Sequence, residues 1–221
     1  MDVLELMKER HSVRQYRDCE IEENKRSMID AYISELNEKS GLHMIAVYDE
    51  AECFNSRLAH YGRFENVKNY IVIAGKKDED SDEKAGYYGE LAVLKLQELG
   101  LRTCWVALTH GKSRAVLNED EKEIIIISVG YGKTDGVAHR NKPLSRLSNL
   151  NDDSPDWFKR GVEGAMLAPT AVNQQRFRLL LADKDKVKMQ LPRFGSLVKL
   201  DAGIVKCHFD LAAGRENFEW I

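Results

Sequence analysis

The 221-residue sequence predicts an α+β fold, a mixed α/β sandwich, on three observations. Strand-like runs such as Ile124-Ile125-Ile126-Ile127 are interspersed with long apolar helical stretches, without the regular βαβαβ alternation of a doubly wound sheet. Gly130-Tyr131-Gly132 closes a strand but lacks the third glycine and the following helix of a dinucleotide fingerprint. Composition is ordinary for a domain that buries its own core, 43% hydrophobic and 31% charged.

Taken in order, Asp2 with Glu5 forms a small capping box, and Val3, Leu4 and Met7 share a face, so a short helix opens the chain and ends near Arg10. A second helix reads over 22–39, where Met28, Ile29, Tyr32, Ile33 and Leu36 keep the helical period and Gly41 supplies a C-cap. Strands follow over 42–48 and 69–75. The charged run 76–84 reads as a solvated loop. Residues 87–99 are apolar on more than one face and stop at Gly100, the pattern of a buried helix. A buried strand over 103–108, a short helix over 113–117 and a β-branched central strand over 124–129 come next. Residues 133–153 turn polar and irregular, the one linker-like stretch. Ser154 then reads as an N-cap with Pro155 at the first helical position, and Pro169 stops that helix. A strand over 177–182 and a last helix marked by Leu200, Ile204, Leu211 and Gly214 complete the chain, with His208 read as a half-exposed helical residue.

The charge balance is 33 Lys+Arg against 36 Asp+Glu, net −3, so the chain carries no basic footprint for nucleic acid. Its longest apolar runs fall far short of the roughly 20 residues of a spanning helix, and the acidic N-terminus lacks a signal peptide's basic start. A cytoplasmic protein with no membrane or nucleic-acid partner is expected. Cys19, Cys53, Cys104 and Cys207 are far apart and read as buried free thiols, with no metal-ligand spacing.

Two stretches repeat a pattern. Gly89 and Gly100 stand eleven residues apart with Trp105 five further on; Gly203 and Gly214 stand eleven apart with Trp220 six further on. Each reads as buried helix, glycine cap and aromatic strand. Either the likeness is chance, or the chain holds a full half over 1–150 and a shortened second half over 151–221.

Chemistry concentrates after the first helix. In Arg10-His11-Ser12-Val13-Arg14, alternation along an extended stretch sends Arg10, Ser12 and Arg14 to one side. Guanidinium forks match phosphate and carboxylate oxygens in two-point contacts, so this is a candidate anion clamp. Arg10-His11-Ser12-Val13-Arg14-Gln15-Tyr16 after an N-terminal helix resembles the opening signature of the nitroreductase family of FMN-dependent oxidoreductases. Three further segments resemble that family: Gly100 through Leu108, Val129-Gly130-Tyr131-Gly132 running to Arg140-Asn141-Lys142-Pro143-Leu144, and Ala168-Pro169-Thr170-Ala171-Val172-Asn173-Gln174-Gln175. In ordinary members the Ala-Pro-Ser/Thr-x-x-Asn-x-Gln segment lies soon after the clamp, and the partner subunit of a homodimer supplies it. Here it stands after residue 167. The sequence therefore resembles a branch in which one chain carries both halves, an internal pseudo-dimer with one flavin site, for which a monomer suffices.

Carried over by position, the resemblance gives Arg10, Ser12 and Arg14 the phosphate, ribityl chain and pyrimidine edge of FMN, with His11 within the clamp as a structural hydrogen-bonding residue or a proton donor. Arg140 and Lys142 add cationic contacts to the phosphate, or belong to a flexible basic loop. Pro169, Thr170, Ala171 and Asn173 bracket the ring, with Gln175 beside them, although Arg176 replaces the proline that usually follows. Backbone groups near Val106, Ala107 and Leu108 approach the flavin N5; Trp105 packs nearby or serves as plain core; Arg63 falls where a cationic flavin contact is common. The implied activity is a two-step cycle in which NADH or NADPH reduces the flavin at N5 and a small electron acceptor, a nitroaromatic or quinone, reoxidises it. A flavin-binding storage or sensor protein shares every one of these binding motifs.

Overall fold

The computed structural model describes residues 2–77 and 81–221. In chain order the elements are α1 (Val3–Glu9), α2 (Glu23–Ser40), β1 (His43–Val47), α3 (Arg57–Tyr61), β2 (Asn69–Lys76), α4 (Ser81–Glu98), β3 (Arg102–Val106), β4 (Glu121–Gly130), α5 (Leu144–Leu147), α6 (Asp156–Leu167), β5 (Arg178–Asp183), β6 (Lys186–Gln190), α7 (Val198–Ala213) and β7 (Glu219–Trp220). The strands form an antiparallel sheet of order β1-β2-β4-β3 and a smaller sheet of order β5-β6-β7, in which β7 runs parallel to β6. Helix and sheet mix as the α+β reading expects.

The interior strands β2 and β4 explain the sandwich. Ile71, Ile73, Ile125 and Ile127 feed one core cluster, while Tyr70, Val72 and Ile126 feed another on the opposite face. Successive strand side chains point to opposite faces, so an unbroken β-branched run serves two layers at once. The first face is covered by α2, α4, α6 and α7, the second by residues 53–67 together with Val13 and Tyr16.

Helices α4 and α7 cross with backbones almost touching. A Cβ at Gly86 would stand 2.0 Å from the Leu200 carbonyl oxygen, and one at Gly203 would stand 2.0 Å from the Glu83 carbonyl oxygen. Only glycine permits that approach. Gly89 in turn leaves room for the Trp105 ring, which a Cβ would meet at 2.4 Å. Phe209 on α7 packs edge-on against Phe158 and Phe218, and this aromatic cluster ties α6, α7 and the C-terminal strand together.

Several expectations need correction. Residues 81–84 of the charged run are helix, because Asp82 and Glu83 sit in the first turn of α4, where its dipole favours acids, and pair with Lys122 and Lys206; residues 78–80 of that run lie outside the described residues. Residues 113–117 form no helix: the Ser113 hydroxyl bonds Glu123 and the Arg114 N–H donates to the Tyr70 hydroxyl, alternatives to helical bonding. Asp2 makes no cap bond and pairs with Arg160 instead. Pro155, rather than Ser154, is the N-cap of α6, since Ser154 is bonded back to Asn151. The third strand of the first sheet ends at Val106, leaving Leu108 81% exposed. Cys19 is exposed. Strand β6 was not anticipated because its Lys-Val-Lys-Met-Gln buries one side only, with Val187 inward between exposed lysines. The polar stretch 133–153 contains α5 and bridges onto β5 through Ser148 and Leu179, so it crosses between the sheets.

Candidate active site

The segment after α1 runs beside the free edge of β3. Ser12 bridges Thr103, the Val13 N–H donates to the Thr103 carbonyl at 2.9 Å, and Tyr16 bridges Gly132. Val13 and Tyr16 turn into the core, and the Tyr16 hydroxyl donates to the Val13 carbonyl at 2.6 Å. Alternation about Val13 sends Ser12 and Arg14 the other way, into a cavity of about 480 Å³. Cys104, Trp105, Ala107 and Leu108 continue this wall from β3 and the turn after it. Burial pushes the Cys104 thiol above its ordinary value.

The facing wall is the loop that follows α6. Pro169, Thr170, Ala171, Val172 and Gln174 line it, and Leu200, Asp201 and Ile204 of α7 complete the enclosure. The loop backbone is strained: Val172, Asn173 and Gln175 have φ of 46°, 55° and 41°, in the left-handed region that a β-branched residue rarely enters. Val172 is 98% exposed, so burial of its own side chain does not hold it there. Hydrogen bonds do. Asp201 accepts from the Ala171 N–H at 2.9 Å and from the Gln174 amide at 2.6 Å. The Gln175 N–H donates to Thr170 Oγ1, Asn173 and Gln175 both donate to the Arg140 carbonyl, and Lys142 Nζ donates to the carbonyls of Gln174 and Gln175. Strain held by so many independent bonds is characteristic of ligand-binding segments. Burial raises the Asp201 carboxyl, and the two bonds from Ala171 and Gln174 oppose that shift.

Beneath the first wall lies a buried ionic network. Glu90 on α4 and His208 on α7 are both 0% exposed. Glu90 accepts from Trp105 Nε1 at 2.9 Å and meets His208 Nε2 at 2.9 Å, while His208 Nδ1 lies 3.0 Å from the Gly164 carbonyl. That carbonyl can only accept, so Nδ1 carries a proton, and one further proton is shared between Nε2 and Glu90. Arg10 is also buried, with Nε 3.7 Å from Glu90 and without a hydrogen bond. Burial lowers its pKa and Glu90 opposes that. The cavity thus joins an apolar slot to one cationic, hydroxyl-bearing wall, an arrangement that suits a planar ring with an anionic tail.

Over residues 2–213 the sequence matches the family described as "Putative TM nitroreductase". The chain belongs to this nitroreductase family.

Among solved structures, one described as a "putative nitroreductase" from Thermotoga maritima superposes with a TM-score of 0.70 at 23% identity, covering 98% of this chain and 85% of that one. A Desulfovibrio desulfuricans "putative nitroreductase in complex with FMN" gives 0.53 at 20% identity, over 70% of this chain and 99% of its own. A nitroreductase family protein of Clostridium difficile gives 0.52 at 17% identity, over 70% and 100%. At these identities the likeness establishes the nitroreductase fold. No curated protein matches the sequence.

Of the residues the sequence singles out, Ser12, Arg14, Trp105, Ala107, Leu108, Pro169, Thr170 and Ala171 line the one cavity. Arg10 does not join them; it lies underneath, facing Glu90. His11 turns its ring toward the Asp135 carbonyl, and Val106 is core. Arg63 is exposed with φ 61°, while its neighbour Gly62 lines the cavity. Arg140, Lys142, Asn173 and Gln175 form the brace behind the loop. Sequence reasoning missed Glu90, Asp201 and Gln174, and misplaced His208, which is buried rather than half exposed. One signal was available: Glu90, between Gly89 and Leu91, is the one charged residue in the run 87–94.

Proposed function

We propose that this nitroreductase is an FMN-dependent NAD(P)H oxidoreductase that reduces small electron-poor acceptors, nitroaromatics or quinones. The observation that carries the reading is that Ser12 and Arg14 face Pro169, Thr170 and Ala171 across one cavity within a single chain. The resemblance assigns these two segments to opposite sides of one flavin. The residues present also fit the group: apolar Ala107, Leu108, Ile125, Leu200 and Ile204 suit the faces of a ring, and Arg14 with Ser12 and Thr170 suits its polar edge and anionic tail. The names of neighbouring structures, an FMN complex and an "NADH dehydrogenase/NAD(P)H nitroreductase" from Bacteroides thetaiotaomicron, lend support.

Bound flavin would supply the hydride chemistry itself. The chain's part is to hold and tune. Arg14 places positive charge at the cavity wall, where it stabilises negative charge on a bound ligand. Ser12 and Thr170 offer hydroxyl donors, and Trp105, fixed by its bond to Glu90, shuts that wall against water. Arg140, Lys142, Asn173 and Gln175 act at one remove, keeping the strained loop in place, and Arg10 acts with Glu90 to fix the clamp backbone. Residues 1–150 would then be one complete family half and 151–221 a shortened second half, so that one chain builds one site.

The test is anaerobic titration of FMN-loaded protein with NADH and with NADPH. Loss of the oxidised-flavin absorbance with either nucleotide is expected, and reoxidation by a quinone should restore it. A flavin that binds but resists both nucleotides would make the protein a flavin store or sensor instead.

A further inference from the structure

We propose that a second cavity beside the first binds the 2′-phosphoadenosine end of the donor, so that the protein takes NADPH in preference to NADH. The proposal deepens the function above and rests on it for the identity of the ligand. This cavity, of about 510 Å³, is lined by Lys142, Arg146, Arg176 and Arg178, with no carboxylate among its lining residues. In a chain of net charge −3 that is a local concentration of positive charge with no internal counter-charge. Arg26, Arg102 and Arg160, by contrast, each face a carboxylate, that of Asp49, Asp135 and Asp2 respectively. Among the described residues the guanidiniums of Arg146 and Arg178 have neither an ion pair nor a hydrogen bond.

The remaining cations are held in place before any ligand arrives. Lys142 Nζ uses two of its three protons on the Gln174 and Gln175 carbonyls, leaving one. Arg176 donates to the Phe194 carbonyl at 3.1 Å, and a Cβ at Gly195 would stand 2.5 Å from its Nη1, so the guanidinium lies against the loop backbone. That loop also carries Phe194, 75% exposed, with the Arg193 guanidinium 5.3 Å from its ring centroid. An exposed ring beside guanidiniums is a stacking platform for a purine, and the guanidinium forks match phosphate oxygens.

Position ties this cavity to the donor. The chain that lines the first cavity at Gln174 lines the second at Gln175, and the chain that leaves the second at Pro192 enters the first at Ser196. A ligand with its redox end in the first cavity and a phosphorylated adenosine outside it crosses one shared rim. NADH presents the same diphosphate and adenine but lacks the 2′-phosphate, so the four cations act on the difference between the two nucleotides.

Calorimetric titration of the flavin-free protein with 2′,5′-ADP and with 5′-AMP tests this without turnover. At low salt 2′,5′-ADP should bind at least about tenfold more tightly, and the gap should close in Arg146→Ala/Arg178→Ala and as salt is raised. On FMN-loaded protein the same double variant should raise the KM for NADPH about tenfold and that for NADH by clearly less, so that the preference between the two nucleotides falls. Equal binding of the two probes, a gap that survives the double substitution, or a wild-type gap insensitive to salt would overturn the proposal. Equally effective competition by inorganic pyrophosphate would overturn the adenosine assignment, and displacement of FMN by 2′,5′-ADP would reassign the cations to the flavin phosphate. Failure of FMN to bind or be reduced sinks the function proposed above, while the 2′,5′-ADP titration still reads this cavity by itself.

Discussion

The two walls of the cavity are stabilised by opposite means. The wall carrying Ser12, Arg14 and Trp105 is an extension of a sheet, its backbone paired to Thr103 and its support buried in the Arg10, Glu90 and His208 network. The wall carrying Pro169 to Gln174 is a loop with three residues at positive φ, held by side-chain bonds from Asp201, Arg140 and Lys142. Damage to the buried supports of the first wall, Arg10, Glu90 and His208, should therefore register as global instability, whereas its exposed side chain Arg14 can be truncated at little cost in stability. Damage to the second should register as lost ligand affinity at modest cost in stability.

The largest effect is expected at Glu90. Glu90→Ala strips Trp105 of its acceptor, leaves Arg10 buried without a counter-charge and deprives His208 Nε2 of its partner, at a cost of about 3–5 kcal/mol. Chemical denaturation should read it, with a shifted tryptophan emission in the native state. Gly203→Ala comes next: its methyl would overlap the Glu83 carbonyl at the α4/α7 crossing, and about 1–3 kcal/mol or more is expected from the same denaturation. Asp201→Ala removes two bonds from the loop and should cost about 1–2 kcal/mol in stability. Its flavin dissociation constant should nonetheless rise about tenfold or more, whereas a stability loss with unchanged flavin affinity would erase the contrast between the walls.

The smallest effect is a pH slope. Burial raises the Asp201 carboxyl above its ordinary 3.8, so just above that pH the folded chain retains a proton that the unfolded chain has lost. Stability from this group is therefore fully present below pH 3.8 and falls as pH rises through the folded value. Asp201→Asn should flatten that part of the stability profile; Asp210, raised by burial in the same direction, keeps its own contribution.

Local chemistry made much of this legible. The alternation of Ser12 and Arg14 against Val13 needs only an extended backbone, and it holds. It fails one step earlier, at Arg10, which is the C-cap of α1 and turns toward Glu90. The apolar 87–99 stretch correctly announced a buried helix, and the glycines it shares with the last helix mark close packing: Gly203 at the backbone crossing, Gly89 at the Trp105 ring. The Glu90–His208 pairing joins residues 118 apart in sequence, and nothing local distinguishes such a histidine from one on a helix surface. Asp201 was hidden for a related reason. An acid in the first turn of a helix is explained by the helix dipole alone, and its grip on the Thr170 loop exists only once α7 is docked.

The central claim is one flavin site per chain, built between Arg14 and the Thr170 loop. Titration of apoprotein with FMN, followed by quenching of flavin fluorescence, addresses it most directly. The account predicts saturation at one FMN per chain, with affinity at least about tenfold weaker in Arg14→Ala at unchanged thermal stability. Saturation at two per chain, or an Arg14→Ala curve that overlays the wild type, would contradict it.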